Sequence, residues 1–109
     1  MPITYKVLGQ INPTAHTANT VYTVPALTST VLSTVTVCNQ ANTGATFRLA
    51  VRPSGETLAA KHYINYDTPV PGNDTVSLTL GITLAATDVL TANANTSTLS
   101  FNAYGSEIS

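Results

Sequence analysis

Charged residues are scarce in this chain, and their scarcity excludes several classes of partner. Only 8% of the 109 residues are Asp, Glu, Lys or Arg, whereas about 25% are charged in an average soluble domain. With four basic residues and a net charge of −1, the chain has no cluster of cations that would displace counterions from a nucleic-acid backbone. We therefore expect no nucleic-acid partner.

Long apolar runs and cysteine pairs are missing as well. No stretch of about 18 apolar residues is present, so we expect no transmembrane helix and no membrane partner. The first ten residues, MPITYKVLGQ, lack the charged head and apolar segment of a secretory signal, which favours folding in a cytoplasm. The single cysteine, Cys38, excludes an internal disulfide framework.

In place of charge, the chain has Thr, Ser and Asn alternating with β-branched apolar residues. The segment 29–39, STVLSTVTVCN, has the period of two and the stiff, branched side chains that are typical of a strand. The residues predicted to face inward are Val31, Val35 and Val37. Leu32 and Cys38 are predicted on a second, partly covered face, with Cys38 as a buried thiol. We interpret this segment as a central strand of a β-sandwich.

The same alternation recurs along the chain between turn signals, while no helical period persists for three turns. The other predicted strands are 4–10, 20–24, 46–52, 62–67, 75–82, 87–92 and 98–104, with a short helical turn at 57–61. We expect 29–39 and 46–52 to form a hairpin. The predicted core residues are Val35, Val37, Phe47, Leu49, Val51, Val76, Leu78, Leu80, Leu99 and Phe101. The sequence therefore predicts one all-β domain over 1–109, an antiparallel β-sandwich of about eight strands, jelly-roll-like or immunoglobulin-like.

Residues that carry chemistry are few and do not form a recognisable motif. His16 and His62 are the only histidines, and neither has a metal-ligand spacing with Cys, Asp or Glu. We interpret them as a loop and a strand histidine, and Asp67 and Asp74 as turn residues. We therefore expect no metal, no cofactor and no enzymatic activity.

Two arginines and two tyrosines are the candidate interface residues. Arg48 and Arg52 are four residues apart on one predicted strand, hence on one face and about 13 Å apart. Each is a candidate for a separate polar contact with a neighbouring subunit, because the guanidinium makes bidentate hydrogen bonds. Two solvated charges are the alternative interpretation. Tyr63, Tyr66 and Tyr104 are candidate exposed aromatic contacts, and of these Tyr63 and Tyr66 are the candidate apolar anchors.

Five segments make the chain resemble a family of small virion proteins of tailed bacteriophages, notably cyanophages. They are TYKVLGQINPTA, STVTVCNQ, FRLAVRPSGETLAAKHYINYD, LTLGITLAATDVL and FNAYGSEIS. The resemblance implies a structural part of the particle, above all a capsid cement or decoration protein that stabilises the outer capsid surface. It implies a homo-oligomer, with a trimer favoured, that is made in the host cytoplasm and binds the major capsid protein in the virion.

Two other functions remain open at this point. The first is a small tail- or fibre-associated virion protein that contacts carbohydrate on the host surface. The second is a free-standing carbohydrate-binding module, which would share the sandwich and the tyrosines. The absence of Trp counts against the second, because such modules usually bind sugars on a platform of Trp or clustered Tyr.

Overall fold

A computed structural model describes residues 2–109, in which the regular structure is almost entirely β-strand. The strands are β1 (Ile3–Ile11), β2 (Asn19–Thr23), β3 (Ser29–Asn39), β4 (Ala45–Arg52), β5 (Tyr63–Val70), β6 (Thr75–Leu84), β7 (Val89–Ala94) and β8 (Leu99–Ile108). Two single 3-10 turns, Pro53–Gly55 and Ala60–His62, lie between β4 and β5. The prediction of an all-β chain of about eight strands is confirmed. Within residues 2–109 no helix is long and apolar enough to span a membrane.

The strands form two antiparallel sheets that pack face to face. Sheet A has the order β1-β8-β3-β6, and sheet B has the order β2-β7-β4-β5. The pairs are nested along the chain: β1 pairs with β8, β2 with β7, β3 with β6, and β4 with β5. This nesting is the jelly-roll order. In an immunoglobulin sandwich more of the neighbouring strands are successive in sequence, whereas here only β4 and β5 are.

The core lies between the sheets and is centred on β3, β4 and β8. The predicted core residues that are at most 1% exposed are Val35, Val37, Phe47, Leu49, Leu99 and Phe101. Phe47 of sheet B meets Phe101 of sheet A edge to face, with ring centroids 5.8 Å apart. The prediction that these six residues belong to the core is confirmed. Complete burial of a Val, Leu or Phe side chain stabilises a fold by about 1.5–3 kcal/mol.

The four other predicted core residues pack against the core as expected, but they are only partly buried. They are Val51, Val76, Leu78 and Leu80. The last three lie on β6, an edge strand of sheet A, so their inward side chains pack on the core with one flank left open. Val51 lies next to the last residue of β4, at the end of the sandwich. Alternation identifies the inward side of a strand, but the depth of burial depends on where the strand lies in its sheet.

A β-bulge in β3 reverses the faces predicted for its first half. The register shifts between Leu32 and Thr34 in the pairings with both β6 and β8. The extra residue, Ser33, is exposed, while Leu32 is buried beside Val35 and Val31 lies half-buried on the outer side. The prediction that Val31 faces inward and Leu32 outward is wrong, because one inserted residue moves every preceding side chain to the opposite face.

The thiol of Cys38 lies on the outer side of sheet A. Cys38 is opposite Thr75 of β6 and Ser100 of β8, and it is a free, half-buried cysteine. The prediction of a buried thiol is wrong, because no second layer of secondary structure covers this side of the sheet.

The predicted hairpin between β3 and β4 is also wrong, because these strands belong to different sheets. The chain crosses from one sheet to the other directly after Asn39, whose side chain is buried. Its Nδ2 donates hydrogen bonds to the carbonyl oxygens of Thr43 at 2.8 Å and Val70 at 3.2 Å, and its Oδ1 accepts one from the N–H of Ala41 at 3.0 Å. These bonds satisfy a polar group that would be costly to bury alone.

Tyr22 ties the two sheets together at the opposite end of the sandwich. Its hydroxyl lies 2.7 Å from Thr30 Oγ1 and donates a hydrogen bond to Glu107 Oε2 at 2.6 Å. Burial and the bond to Glu107 raise the pKa of Tyr22 to about 12, and the same bond lowers the pKa of Glu107. Lys6 pairs with the other carboxylate oxygen at 3.3 Å.

Several strand ends differ from the predicted ranges. β5 begins after His62 and continues through Pro69 to Val70, which an edge strand permits because a proline there interrupts no internal ladder. β7 begins two residues later than predicted, and β8 continues to Ile108. The helical turn predicted at 57–61 lies at Ala60–His62.

Candidate interaction surfaces

Arg48 forms the centre of a rigid group on the outer side of sheet B. A bulge in β5, where the register shifts between the partners of Phe47 and Leu49, directs Asp67 towards β4, with Asp67 at φ 52°. Arg48 Nε donates to Asp67 Oδ1 at 2.7 Å and Arg48 Nη2 donates to Oδ2 at 3.3 Å. This hydrogen bonding lowers the pKa of Asp67 and raises that of Arg48. Both groups therefore stay ionised over the physiological range.

Two tyrosines extend this group into an exposed platform. The guanidinium carbon of Arg48 lies 3.9 Å from the centre of the Tyr66 ring, an arrangement that favours a cation–π contact. Tyr63 meets Tyr66 edge to face, with centroids 5.1 Å apart. Tyr66 is 60% exposed. We call Arg48, Tyr63, Tyr66 and Asp67 the Arg48 cluster. Its side chains contact one another, which restricts their rotamers and reduces the conformational entropy that a partner has to remove.

Arg52 does not join the Arg48 cluster. Its Nε donates to Thr91 Oγ1 at 3.1 Å, and its Nη1 donates to the carbonyl oxygens of Glu56 at 2.9 Å and Gly55 at 3.4 Å. These contacts hold the 53–62 connection over sheet B. Whether Arg52 contacts a partner stays a prediction, and its Nε and Nη1 donate to acceptors within the chain.

His62 closes the same connection and is not a strand residue. It is buried at the end of the Ala60–His62 turn. Its Nδ1 accepts a hydrogen bond from the N–H of Ala59 at 3.0 Å, so the proton of the neutral ring lies on Nε2, which donates to Glu56 Oε1 at 3.1 Å. That bond, with the nearby Lys61, lowers the pKa of Glu56. The arrangement accounts for a buried histidine by loop structure alone.

A polar cleft of about 430 Å³ lies beside the Arg48 cluster. Its polar side chains are His16, Thr46, Arg48, Asp67, Asn93 and Asn95. The amides and the guanidinium are planar donors of the kind that bind hydroxyl or carboxylate groups. Within residues 2–109 no three His, Cys, Asp or Glu side chains form a group that would hold a metal ion.

The outer face of sheet A is a second candidate surface, and its side chains are uncharged. Lys6 and Glu107 are the only charged residues in the four strands of this sheet. Residues directly opposite one another on neighbouring strands form a row across the sheet. Lys6 is in the row of Leu32 and Glu107 is in the row of Thr30, and both Leu32 and Thr30 are buried on the inward side. The outward rows therefore have no charged member. Across β1, β8 and β3 they are Ile3–Ile108–Ser29, Tyr5–Ser106–Val31, Val7–Tyr104–Thr34 and Gln10–Asn102–Thr36.

One corner of this face is apolar and exposed. Its exposed members are Ile3 at 54%, Tyr5 at 83%, Val7 at 47% and Tyr104 at 36%. A cleft of about 470 Å³, here called the tyrosine cleft, is lined by Tyr5, Lys6, Val31, Ser33, Tyr104, Gly105 and Ser106. Of these residues, sequence analysis named only Tyr104, as a candidate exposed aromatic contact. The signal available was the alternation of Tyr5 and Val7 in the predicted strand 4–10.

Comparison of the chain with models of known protein families gave no match, and comparison with curated proteins showed no significant similarity. The resemblance to phage virion proteins therefore depends on the five segments quoted above. Function has to be argued from the two surfaces.

Proposed function

We propose that this chain is a structural protein of a bacteriophage particle, a cement or decoration protein that binds the outer capsid surface and stabilises it. The observation that carries the proposal is the outer face of sheet A, whose outward rows have no charged residue and which has an exposed apolar corner. Exposed apolar patches with a polar surround mark interaction sites on proteins. Cementing requires contact area, and about 800 Å² per partner is a standard interface.

The jelly-roll order adds support, since viral capsid and lectin domains share it. Fold by itself does not establish function, so the surfaces have to supply the specific argument. The Arg48 cluster lies on the opposite side of the sandwich from the uncharged face. Two distinct surfaces on opposite sides suit a protein that contacts copies of itself and the major capsid protein together. The trimer implied by the resemblance stays a prediction.

The experiment is add-back of the purified protein to capsids that lack it. We expect wild-type protein to restore resistance to heat and osmotic shock, and electron microscopy to show its density on the capsid. Arg48→Ala combined with Tyr66→Ala should weaken capsid binding at least about tenfold, because ordered Arg and Tyr side chains are typical binding hot spots. Lys61→Ala, which removes a cation with a 73% exposed side chain outside the Arg48 cluster, is the matched control. Capsids that are equally robust without the protein would refute the cementing role.

The polar cleft favours one alternative, a tail- or fibre-associated protein that binds host carbohydrate. Its amides, guanidinium and histidine are suited to sugar hydroxyls, and its volume of about 430 Å³ falls within the range of small-ligand sites. Density confined to the tail, together with glycan binding that Asn93→Ala abolishes, would favour this alternative over cementing.

A further inference from the structure

Tyr5 projects from the outer face of sheet A beside a cleft that it helps to line. Its side chain is 83% exposed, although it lies in a regular strand opposite Ser106. The tyrosine cleft, with a volume of about 470 Å³, includes Val31, Ser33 and Tyr104 in its lining. A projecting aromatic side chain and an open, partly apolar cleft therefore lie next to each other on one surface.

The charge distribution indicates what kind of surface covers this face. The chain has four basic and five acidic residues, of which only Lys6 and Glu107 lie in sheet A. Both belong to the inward rows and bind each other at 3.3 Å, although Lys6, with a side chain 44% exposed, also lines part of the tyrosine cleft. A strongly charged partner would lose hydration here without gaining an opposite charge. An equally uncharged surface meets no such cost, and this chain itself presents one.

The directions in which Tyr5 and the tyrosine cleft face determine the symmetry of self-association. In a three-fold ring, the contact is head to tail, so the complementary patches of one subunit must face in different directions. Tyr5 and the tyrosine cleft lie on the same face of the same sheet and face the same way. A surface of this kind meets its own copy across a two-fold axis, where each side chain of one subunit finds the reciprocal contact on the other.

The available area is sufficient for a stable pair. The Cα extents of 45 × 27 × 19 Å give each broad face an area of roughly 1,200 Å², whereas a standard interface buries about 800 Å² per partner. The apolar corner alone is smaller than this. The neighbouring Thr, Ser and Asn side chains of the same uncharged face supply the remainder.

We propose that a second copy of this chain binds the outer face of sheet A, with Tyr5 of each copy inserted into the tyrosine cleft of the other. This deepens the proposed function, since it names the self-association surface of the homo-oligomer and makes its basic unit a dimer where the resemblance implies a trimer. Tyr5 and Tyr104 are the central contacts, and the hydroxyl-rich part of the face forms the rim.

Sedimentation equilibrium of the purified protein tests this without any capsid. From about 1 to about 100 μM, a range that brackets micromolar dissociation constants, we expect a species of twice the chain mass of 11.3 kDa. Tyr5→Ser should raise the dissociation constant about 30-fold or more, as truncation of a central aromatic side chain does. Ser33→Lys should have a comparable effect, because it places an unpaired charge in the cleft.

Tyr66→Ser is the matched control, since Tyr66 is an exposed tyrosine on the other sheet, and it should leave the dimer unchanged. Circular dichroism of each variant checks that the fold is retained. A monomer throughout the range, a trimer, or a dimer that Tyr5→Ser and Ser33→Lys do not weaken would overturn the inference. If the dimer is refuted in this way but the protein still binds and stabilises capsids, the proposed function stands. If the protein forms a Tyr5-dependent dimer but does not bind capsids, only the proposed function is refuted.

Discussion

Replacing Tyr22 with Phe tests whether one hydroxyl group holds the two sheets together at the β2 end of the sandwich. Tyr22 is 7% exposed, and Phe retains the ring and its packing while removing only the oxygen. That oxygen lies 2.6 Å from a Glu107 carboxylate oxygen and 2.7 Å from Thr30 Oγ1. The substitution therefore isolates the hydrogen bonds between β2 of sheet B and strands β8 and β3 of sheet A.

The magnitude follows from the partners that are left behind. A hydrogen bond to a charged group contributes about 1.5–3 kcal/mol, and a neutral one about 0.5–1.5 kcal/mol. Glu107 has a side chain that is 17% exposed and still pairs with Lys6 at 3.3 Å. Lys6 and water therefore compensate part of the stabilisation that Glu107 loses with the tyrosine hydroxyl. Thr30, 1% exposed, loses this partner. We expect the free energy of unfolding to fall by about 2–3 kcal/mol, which lowers Tm by about 10–20 °C in a domain of this size.

Urea unfolding at pH 7, followed by circular dichroism, measures this free energy directly. Tyr66→Phe is the control, because its 60% exposed side chain should change the free energy by less than about 0.5 kcal/mol. A Tyr22→Phe variant within about 0.5 kcal/mol of the wild type would show that water replaces these bonds without cost, and the inter-sheet role of Tyr22 would be refuted.

The same variant has a distinct pH dependence. The pKa of Glu107 is below its ordinary value of 4.5 in the folded protein, so its stabilising contribution is present above pH 4.5 and is lost as the pH falls through the folded pKa. The pKa of Tyr22 is raised from 10.0 to about 12, so its contribution is complete below pH 10 and is lost as the pH rises towards 12. In the Tyr22→Phe variant, the loss of stability that titration of Tyr22 causes at alkaline pH should be absent. The loss of stability that protonation of Glu107 causes at acid pH should be smaller.

Three further predictions use the same unfolding measurements or a thiol assay. Leu32→Ala should lower the free energy of unfolding by about 2–5 kcal/mol, because Leu32 is completely buried. Leu78→Ala should lower it by about half as much, because Leu78 is half-buried. Equal losses would contradict the edge position of β6. Asn39→Ala should cost about 2–4 kcal/mol, because the carbonyl oxygens of Thr43 in the crossing connection and of Val70 at the end of β5 lose this donor. Cys38 should react with a thiol reagent in native buffer, more slowly than in urea, since it is half-buried; complete native protection would argue for a covered outer face.

The Arg48 cluster shows how far sequence reasoning could reach towards the candidate site. Arg48 was named from its position on an outward strand face, and Tyr63 and Tyr66 were named as candidate exposed aromatic contacts. The structure places the three together. Asp67 was interpreted only as a turn residue, because nothing in its neighbourhood indicates that a bulge directs it towards Arg48. Arg52 has the same residue type and the same strand face as Arg48, yet its donors bind the 53–62 connection.

The tyrosine cleft could not be predicted in the same way. It unites residues from β1, β3 and β8, the first, third and last strands of the chain. The period of two indicates that Tyr5 and Tyr104 each lie on a strand face. It does not indicate that these faces belong to one sheet or that the charged residues of that sheet belong to its inward rows.

Sequence pattern alone was enough to predict the strand content of the chain and the inward faces of β4 and β8, and composition alone gives its scarcity of charge. These are properties of short segments, since alternation separates the two faces of a strand without reference to its partners. Tertiary structure decided the nested pairing, the separation of β3 from β4, and the face of Leu32. It also gave Asn39, Tyr22 and His62 their buried hydrogen bonds. The physical reason is that strand partners, bulges and edge positions arise from contacts between segments far apart in the chain, which no local period records.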